Sequence, residues 1–154
     1  MSVELLAPAG DLEKLKIAIL YGADAVFIGG QDFFLRARAS NFSISDIKEA
    51  ASFAHQYGKK VYVTTNIIPH QDDLKGLIDY LKALEETQID AIISASPVII
   101  ESALQHTKLE VHLSTQQSSM NIRTVQFWYE KGVKRIVLAR ELDKHQIKHL
   151  IKHT

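Results

Sequence analysis

The sequence has no cysteine among its 154 residues. This absence excludes disulfide bonds, thiolate nucleophiles and thiolate metal ligands within the chain. Neither sign of charge is in excess, because 18 Lys and Arg residues balance 18 Asp and Glu residues. The overall charge therefore favours neither nucleic acid, nor a membrane surface, nor an acidic partner. The longest apolar runs, such as Ala91-Ile92-Ile93, are far too short to span a bilayer, and the first residues do not resemble a signal peptide. The composition predicts a cytoplasmic protein without membrane association.

What the chain does contain is a regular alternation of short apolar runs and amphipathic segments. Hydrophobic residues make up 46% of the sequence, enough for a single globular domain with a substantial core. The alternation is typical of a parallel α/β fold, with a helix after each strand. It predicts six βα units, with strands at residues 4–7, 25–28, 60–64, 91–94, 110–113 and 135–138.

Helix boundaries are marked by residues that satisfy the free backbone groups of helix ends. Gly22, Gly58 and Gly132 stand where helices should end. Asp143 and Gln146 have the spacing of a capping box. Side chains suited to cap the first turns are Asp11, Ser43, Asp72, Ser96, Asn121 and Asp143.

Six βα units fit either a doubly wound sheet or part of an eightfold barrel. The first turn, Pro8-Ala9-Gly10-Asp11, lacks the G-x-G-x-x-G pattern of dinucleotide-binding folds. The apolar period of the last segment also continues to the end of the chain without a glycine or proline stop. We favour an incomplete TIM-like barrel, with residues 1–154 forming one domain of a longer protein.

In both architectures, ligands bind beyond the carboxyl ends of the strands, so the residues after each apolar run are site candidates. Arg36 and Arg38 alternate with apolar residues, so two guanidinium groups on one side suit a carboxylate or a phosphate. The alternative is a pair of surface ion pairs. Asn66 can donate to a substrate carbonyl or bond its own turn. For Arg140 and Glu141, a position at the barrel mouth and a structural ion pair remain equally open.

Serine and histidine chemistry is less well supported. The polar run that begins Ser114-Thr115-Gln116 follows the fifth strand, but it has neither a G-x-S-x-G turn nor an adjacent base to activate Ser114. His145, His149 and His153 share one helix face and could in principle bind a metal, yet the neighbouring lysines indicate a solvated basic face that could touch phosphates. His112 is either a ligand-binding residue inside the barrel or a hydrogen-bonded core histidine.

Six segments, in order and spacing, resemble a known family. They are "ELLAPAGDLEKLKIAILYGADAVFIGG", "LRARASNFS", "KKVYVTTNIIPH", "DAII", "VHLSTQ…N" and "VKRIVLAREL". Together they resemble the amino-terminal half of the collagenase-like peptidases, family U-thirty-two of the unassigned peptidases, over essentially the whole chain.

The resemblance implies a barrel-like catalytic domain and, in full-length members, downstream cysteines that hold an iron–sulfur cluster beyond Thr154. It also implies oxygen-independent hydroxylation of tRNA uridine, of rRNA or of a ubiquinone precursor, with prephenate as the hydroxyl source for the members that act on RNA. A departure from the family pattern is Ser96-Pro97, where members usually have aspartate-proline, so a carboxylate is lost. The positions carried over as site-lining are Arg36, Arg38, Asn41, Asn66, Ser114, Thr115, Gln116, Asn121, Arg140 and Glu141.

Three functional hypotheses follow: an RNA-hydroxylating redox enzyme, a peptidase, and a non-catalytic module that binds RNA or protein. The residues offer no catalytic triad, metal motif or paired carboxylates for the peptidase. We predict that the 154-residue chain alone is inactive. We also expect it to self-associate through the open edges of its first and sixth strands.

Overall fold

Six short strands form one parallel sheet in which each strand pairs with its neighbour in the sequence. The computed structural model describes residues 3–29, 42–66 and 69–153, with the backbone alone at Asp73. The sheet order is β1-β2-β3-β4-β5-β6, and all five pairings are parallel. The strands are β1 (Leu6–Ala9), β2 (Ala25–Gly29), β3 (Lys60–Thr64), β4 (Ala91–Ser94), β5 (Glu110–Leu113) and β6 (Arg135–Ile136).

A helix follows each strand, so the predicted alternation of elements is confirmed. Two 3-10 turns, Gln71–Leu74 and Thr115–Gln117, lie in the connections after β3 and β5. The helices are α1 (Leu12–Leu20), α2 (Ile44–Gln56), α3 (Leu77–Glu86), α4 (Pro97–His106), α5 (Ile122–Glu130) and α6 (Lys144–His153).

Alternate residues of each strand serve two different cores, because successive side chains of a strand point to opposite faces of the sheet. Val61 and Val63 belong to the larger core, which also contains Leu15 of α1 and Leu81 of α3. The intervening Tyr62 belongs to a smaller cluster with Ala25, Ala91 and Ile93, which come from strands alone. Helices thus cover one face of the sheet, and the other face encloses an interior. This is the predicted incomplete TIM-like barrel.

An ion pair inside the barrel joins the two ends of the sheet. The Arg135 guanidinium, on β6, binds both carboxylate oxygens of Glu4, just before β1. The Tyr62 hydroxyl, on β3, donates to the same carboxylate at 3.1 Å. Since β1 and β6 are the outermost strands, this contact requires a sheet curved about its interior.

Most of the predicted helix caps are confirmed. The Asp11 and Asn121 side chains accept the Lys14 and Thr124 N–H groups, at 2.8 and 2.9 Å. Ser43 forms a reciprocal capping box with Asp46, and Asp143 forms the predicted one with Gln146. The three predicted terminal glycines all adopt left-handed backbone conformations, with φ of 105° at Gly22, 65° at Gly58 and 102° at Gly132.

Two cap predictions need correction. Asp72 does not cap α3, because it lies in the first 3-10 turn and the helix starts after Gly76, whose left-handed backbone (φ 81°) ends that turn. Ser96 is at the N-cap position before Pro97, but its side chain makes no capping hydrogen bond.

Two predicted strands are also displaced. The first pairs over Leu6–Ala9 rather than residues 4–7, because the Leu5 N–H is bound by the Asp24 carboxylate at 3.0 Å and Glu4 is held by Arg135. The sixth ends at Ile136 rather than at residue 138, because the Ala139 N–H turns to the Ser119 carbonyl at 3.2 Å.

Candidate functional site

Two of the predicted site residues meet at the carboxyl ends of the strands. Asn66 follows β3 and Ser114 follows β5, and the Asn66 Nδ2 donates to the Ser114 Oγ at 2.9 Å. Both stand at alternate positions from an inward-facing side chain, Asn66 from Tyr62 and Ser114 from His112, so they too face the interior of the barrel. Ser114 is 3% exposed, and its Oγ also accepts the Gln116 N–H at 3.4 Å. We call the region around this contact the mouth.

Further hydrogen bonds hold the backbone of the mouth in place beyond the strand ends. The Gln117 side chain donates to the Ala95 carbonyl at 2.5 Å. The Ser94 Oγ donates to the Thr65 carbonyl at 3.3 Å, and it also accepts the Ser96 N–H at 3.3 Å. The segments after β3, β4 and β5 are therefore linked into one rim, as a preorganised binding site requires.

Two buried side-chain oxygens, one of them at the mouth, make no hydrogen bond within the described residues. They are the Asn66 Oδ1 and the Ser119 Oγ, and Ser119 is fully buried. A buried polar atom without a partner is costly and calls for an explanation. With its Nδ2 occupied by Ser114, Asn66 presents an acceptor suited to an N–H or O–H donor of a ligand.

The other predicted site residues differ in their surroundings. Thr115 and Gln116 lie in the 3-10 turn that follows Ser114. Asn121 is exposed, and its Oδ1 is occupied in capping α5. Arg140 and Glu141 are exposed in the connection between β6 and α6, and no ion pair joins them in the part of the chain that the structure describes. Arg36, Arg38 and Asn41 lie outside the described residues.

The surroundings of Ser114 do not resemble those of an activated nucleophile. Within the described residues, its Oγ receives hydrogen bonds from an amide side chain and a backbone N–H, and neither group can take up a proton. The nearest histidine in sequence, His112, is hydrogen-bonded to Glu110 instead, at 2.9 Å. Ser114 therefore serves as a hydrogen-bonding residue.

Sequence reasoning missed a polar network within the barrel. It comprises Glu4, Tyr62, Glu110, His112 and Arg135. The rings of Tyr62 and His112 meet edge to face at 4.7 Å, and Arg135 lies over the Tyr62 ring at 5.4 Å. The reading of His112 as a hydrogen-bonded core histidine is confirmed by its 2% exposure and its bond to Glu110. The alternation of side chains along a strand could have revealed this network in the sequence, because it places Tyr62 and His112 on the same face as Asn66 and Ser114.

The network perturbs the pKa values of its members. The hydrogen bond from Arg135 lowers the pKa of Glu4, and the same bond raises the pKa of Arg135. Burial raises the pKa of Tyr62 to about 12 and lowers the pKa of His112. At neutral pH the network therefore holds a charged Glu4–Arg135 pair beside a neutral tyrosine and a neutral histidine.

The described residues contain no group of three or more His, Cys, Asp or Glu side chains that could hold a metal ion. The histidines at 145, 149 and 153 lie on the exposed side of α6, as predicted for a solvated basic face. Of the helices described, none combines the length and the apolar character needed to cross a membrane.

The fold and the mouth define a (β/α)-barrel domain with a hydrogen-bonding site at the carboxyl ends of its strands. Residues 10–154 match the model of peptidase family U32, and the chain belongs to this family. It is 56% identical over 148 residues to "tRNA hydroxylation protein P1" of Bacillus subtilis, covering 96% of this chain and 35% of that protein. It is also 43% identical over 146 residues to "23S rRNA 5-hydroxycytidine C2501 synthase" of Escherichia coli, covering 95% of this chain and 22% of that protein.

Solved structures support the fold. The structure titled "The Structure of the U32 Peptidase Mk0906" superposes with a TM-score of 0.78 at 12% identity, covering 99% of this chain and 66% of that one. A 3-hexulose-6-phosphate synthase from Salmonella typhimurium superposes with a TM-score of 0.68 at 16% identity, covering 98% of this chain and 74% of that one. The chain spans about a third or less of the length of the curated relatives named above.

Proposed function

We propose that this chain is the amino-terminal barrel part of a cytoplasmic enzyme that hydroxylates a base of tRNA or rRNA. The observation that carries the proposal is the identity of 56% to a protein named for tRNA hydroxylation, together with 43% to an rRNA 5-hydroxycytidine synthase. The mouth is consistent with this role, because it offers hydrogen-bonding groups and, among the described residues, no activated nucleophile.

In this proposal the mouth binds and orients a nucleobase. The Asn66 Oδ1 accepts an N–H from the base edge, while the hydrogen bond from the Asn66 Nδ2 to Ser114 holds the amide at the mouth. An enzyme that acts on a base takes it out of the stack into a pocket. Hydrogen bonds to the base edge then supply selectivity, since an unpaired buried acceptor penalises a ligand that lacks the donor.

The second substrate in the proposal is a small carboxylate such as prephenate. Arginines suit carboxylates because the guanidinium binds both oxygens at once. Arg140, exposed after β6, is the described candidate, and Arg36 and Arg38 are proposed with it from the sequence. The family resemblance also implies an iron–sulfur cluster, but this cysteine-free chain does not fit one. We propose that the cluster ligands lie outside this sequence.

The proposal is tested by gene deletion followed by mass spectrometry of nucleosides from purified tRNA and rRNA. We expect deletion to remove one hydroxylated nucleoside, the full-length gene to restore it, and N66A and S114A to restore less than about a tenth. An exposed side-chain amide and an exposed serine supply the controls, with Q56A and S52A expected to complement fully. Unchanged RNA hydroxylation after deletion would refute the proposal.

A further inference from the structure

Charge is segregated along this electrically neutral chain. Residues 119–154 hold eight of the 18 Lys and Arg residues and three of the 18 Asp and Glu residues, a net charge of +5. Residues 1–118 hold the remaining ten basic and 15 acidic residues, a net charge of −5. The overall balance thus conceals a basic segment that contains α5, β6 and α6.

Within this segment, α6 carries its lysines in one ordered row and its histidines in another. Lys144, Lys148 and Lys152 are all exposed and spaced by four residues, which places them on one side of the helix about 6 Å apart. His145, His149 and His153 form an adjacent exposed row. Leu150 is 5% exposed and anchors the opposite side of the helix to the barrel. We call these two rows the basic face of α6.

The lysines of the basic face make no ion pair with any residue in the described ranges, unlike several lysines nearer the amino terminus. Lys14, Lys16 and Lys59 each lie within 2.8 Å of a carboxylate. Of the seven ion pairs in the described part of the chain, none includes a lysine of α6. The charge of the basic face is therefore available to an external anion.

The basic face is connected to the mouth through the chain itself. α6 begins at Lys144, four residues after the exposed Arg140, in the connection that leaves the carboxyl end of β6. Because helices of such a barrel run antiparallel to the strands they follow, the face extends from the mouth down the outside of the barrel.

We propose that the basic face of α6 is a docking surface for the phosphate backbone of RNA, which holds a strand while one of its bases enters the mouth. The inference deepens the proposed function and rests on it for the identity of the ligand. A regular row of unpaired cations complements a regularly spaced polyanion, and contacts of this type position a nucleic acid without reading its sequence.

The test is the salt dependence of binding, measured by fluorescence anisotropy with a short fluorescein-labelled single-stranded RNA. Each phosphate neutralised in a single strand contributes a slope of about −0.7 to the dependence of log K on log salt. The K144Q/K148Q/K152Q variant should therefore have a slope shallower by about 2. When the salt concentration rises from about 50 to about 200 mM, the factor by which RNA binding weakens should be about 20 times smaller for this variant than for the unaltered chain.

The matched control is K48Q/K82Q/K108Q, which removes the same charge from exposed positions outside the basic segment. We expect it to keep the original slope within about 0.5. Circular dichroism verifies folding, and the three single α6 replacements, each expected to change the slope by about 0.7, provide the test should the triple variant unfold. Equal slopes for the two triple variants would overturn the inference.

Two further arms identify the kind of anion. Poly-glutamate and vesicles containing anionic lipid are titrated at the same salt concentrations, and we expect both to bind at least tenfold more weakly than RNA. Equal binding of either would overturn RNA as the occupant. Loss of RNA hydroxylation on gene deletion combined with unchanged α6 slopes would reject the docking surface and leave the proposed function standing. Altered slopes without loss of hydroxylation would support the docking surface and reject the proposed function.

Discussion

Replacing Arg135 by methionine tests whether the inner ion pair holds the ends of the curved sheet together. The replacement keeps most of the side-chain volume and leaves the Glu4 carboxylate with the Tyr62 hydroxyl as its remaining side-chain partner in the described network. Breaking a fully buried ion pair lowers the free energy of unfolding by about 3–5 kcal/mol, whereas an exposed ion pair contributes about 0.2–1 kcal/mol to it. The side chains of Arg135 and Glu4 are 38% and 26% exposed, so we expect R135M to cost about 1–2 kcal/mol.

The assay is urea denaturation of R135M, E4Q and the double variant, followed by circular dichroism. If the two residues stabilise each other, the double variant should be more stable than the sum of the single effects predicts, by about 1 kcal/mol. K134M, at the exposed preceding residue, is the control and should change stability by less than about 0.5 kcal/mol. Additivity of R135M and E4Q within about 0.3 kcal/mol would refute the reasoning, because it would show that the contact does not couple the sheet ends.

Three further predictions concern stability and assembly. Burial lowers the pKa of His112 below its ordinary value of 6.5, so the folded state favours the neutral ring. The contribution of His112 to the free energy of unfolding should be fully present above pH 6.5 and should be lost as the pH falls from there through the folded-state pKa. Urea midpoints of H112Q that follow the same pH profile as those of the unaltered chain would contradict this. G58A should cost about 1 kcal/mol in urea denaturation, because Gly58 has φ of 65° and open space around a new Cβ. G10A, without a positive φ, is the control. Sedimentation should show association that grows with concentration, through the outer edges of β1 and β6; a monomer at every concentration would rule this out.

The local structure was predictable because its determinants are close together in the sequence. The strands at β3, β4 and β5 have the predicted bounds, and the glycine and side-chain caps of most helices match. The two strands were displaced where a distant group intervened. Asp24 binds the Leu5 N–H and shifts β1, and the Ser119 carbonyl draws the chain away from β6.

The candidate site was predicted as a set of positions, not as an arrangement. The rule that ligands bind at the carboxyl ends of parallel strands selected Asn66 and Ser114, but it did not show that they contact each other. Nor did it separate them from Asn121, whose side chain is occupied in capping a helix. The polar network inside the barrel was missed because its members come from three strands and the segment before β1.

The sequence alone determined the order of six βα units, most of the helix ends and the family, since periodicity and capping depend on residues within a few positions of each other. The tertiary structure decided which side chains meet. Asn66 reaches Ser114 across 48 residues, and Arg135 reaches Glu4 across 131. Contacts over such separations depend on strand register and sheet curvature, which arise from the packing of the whole barrel and from no single segment.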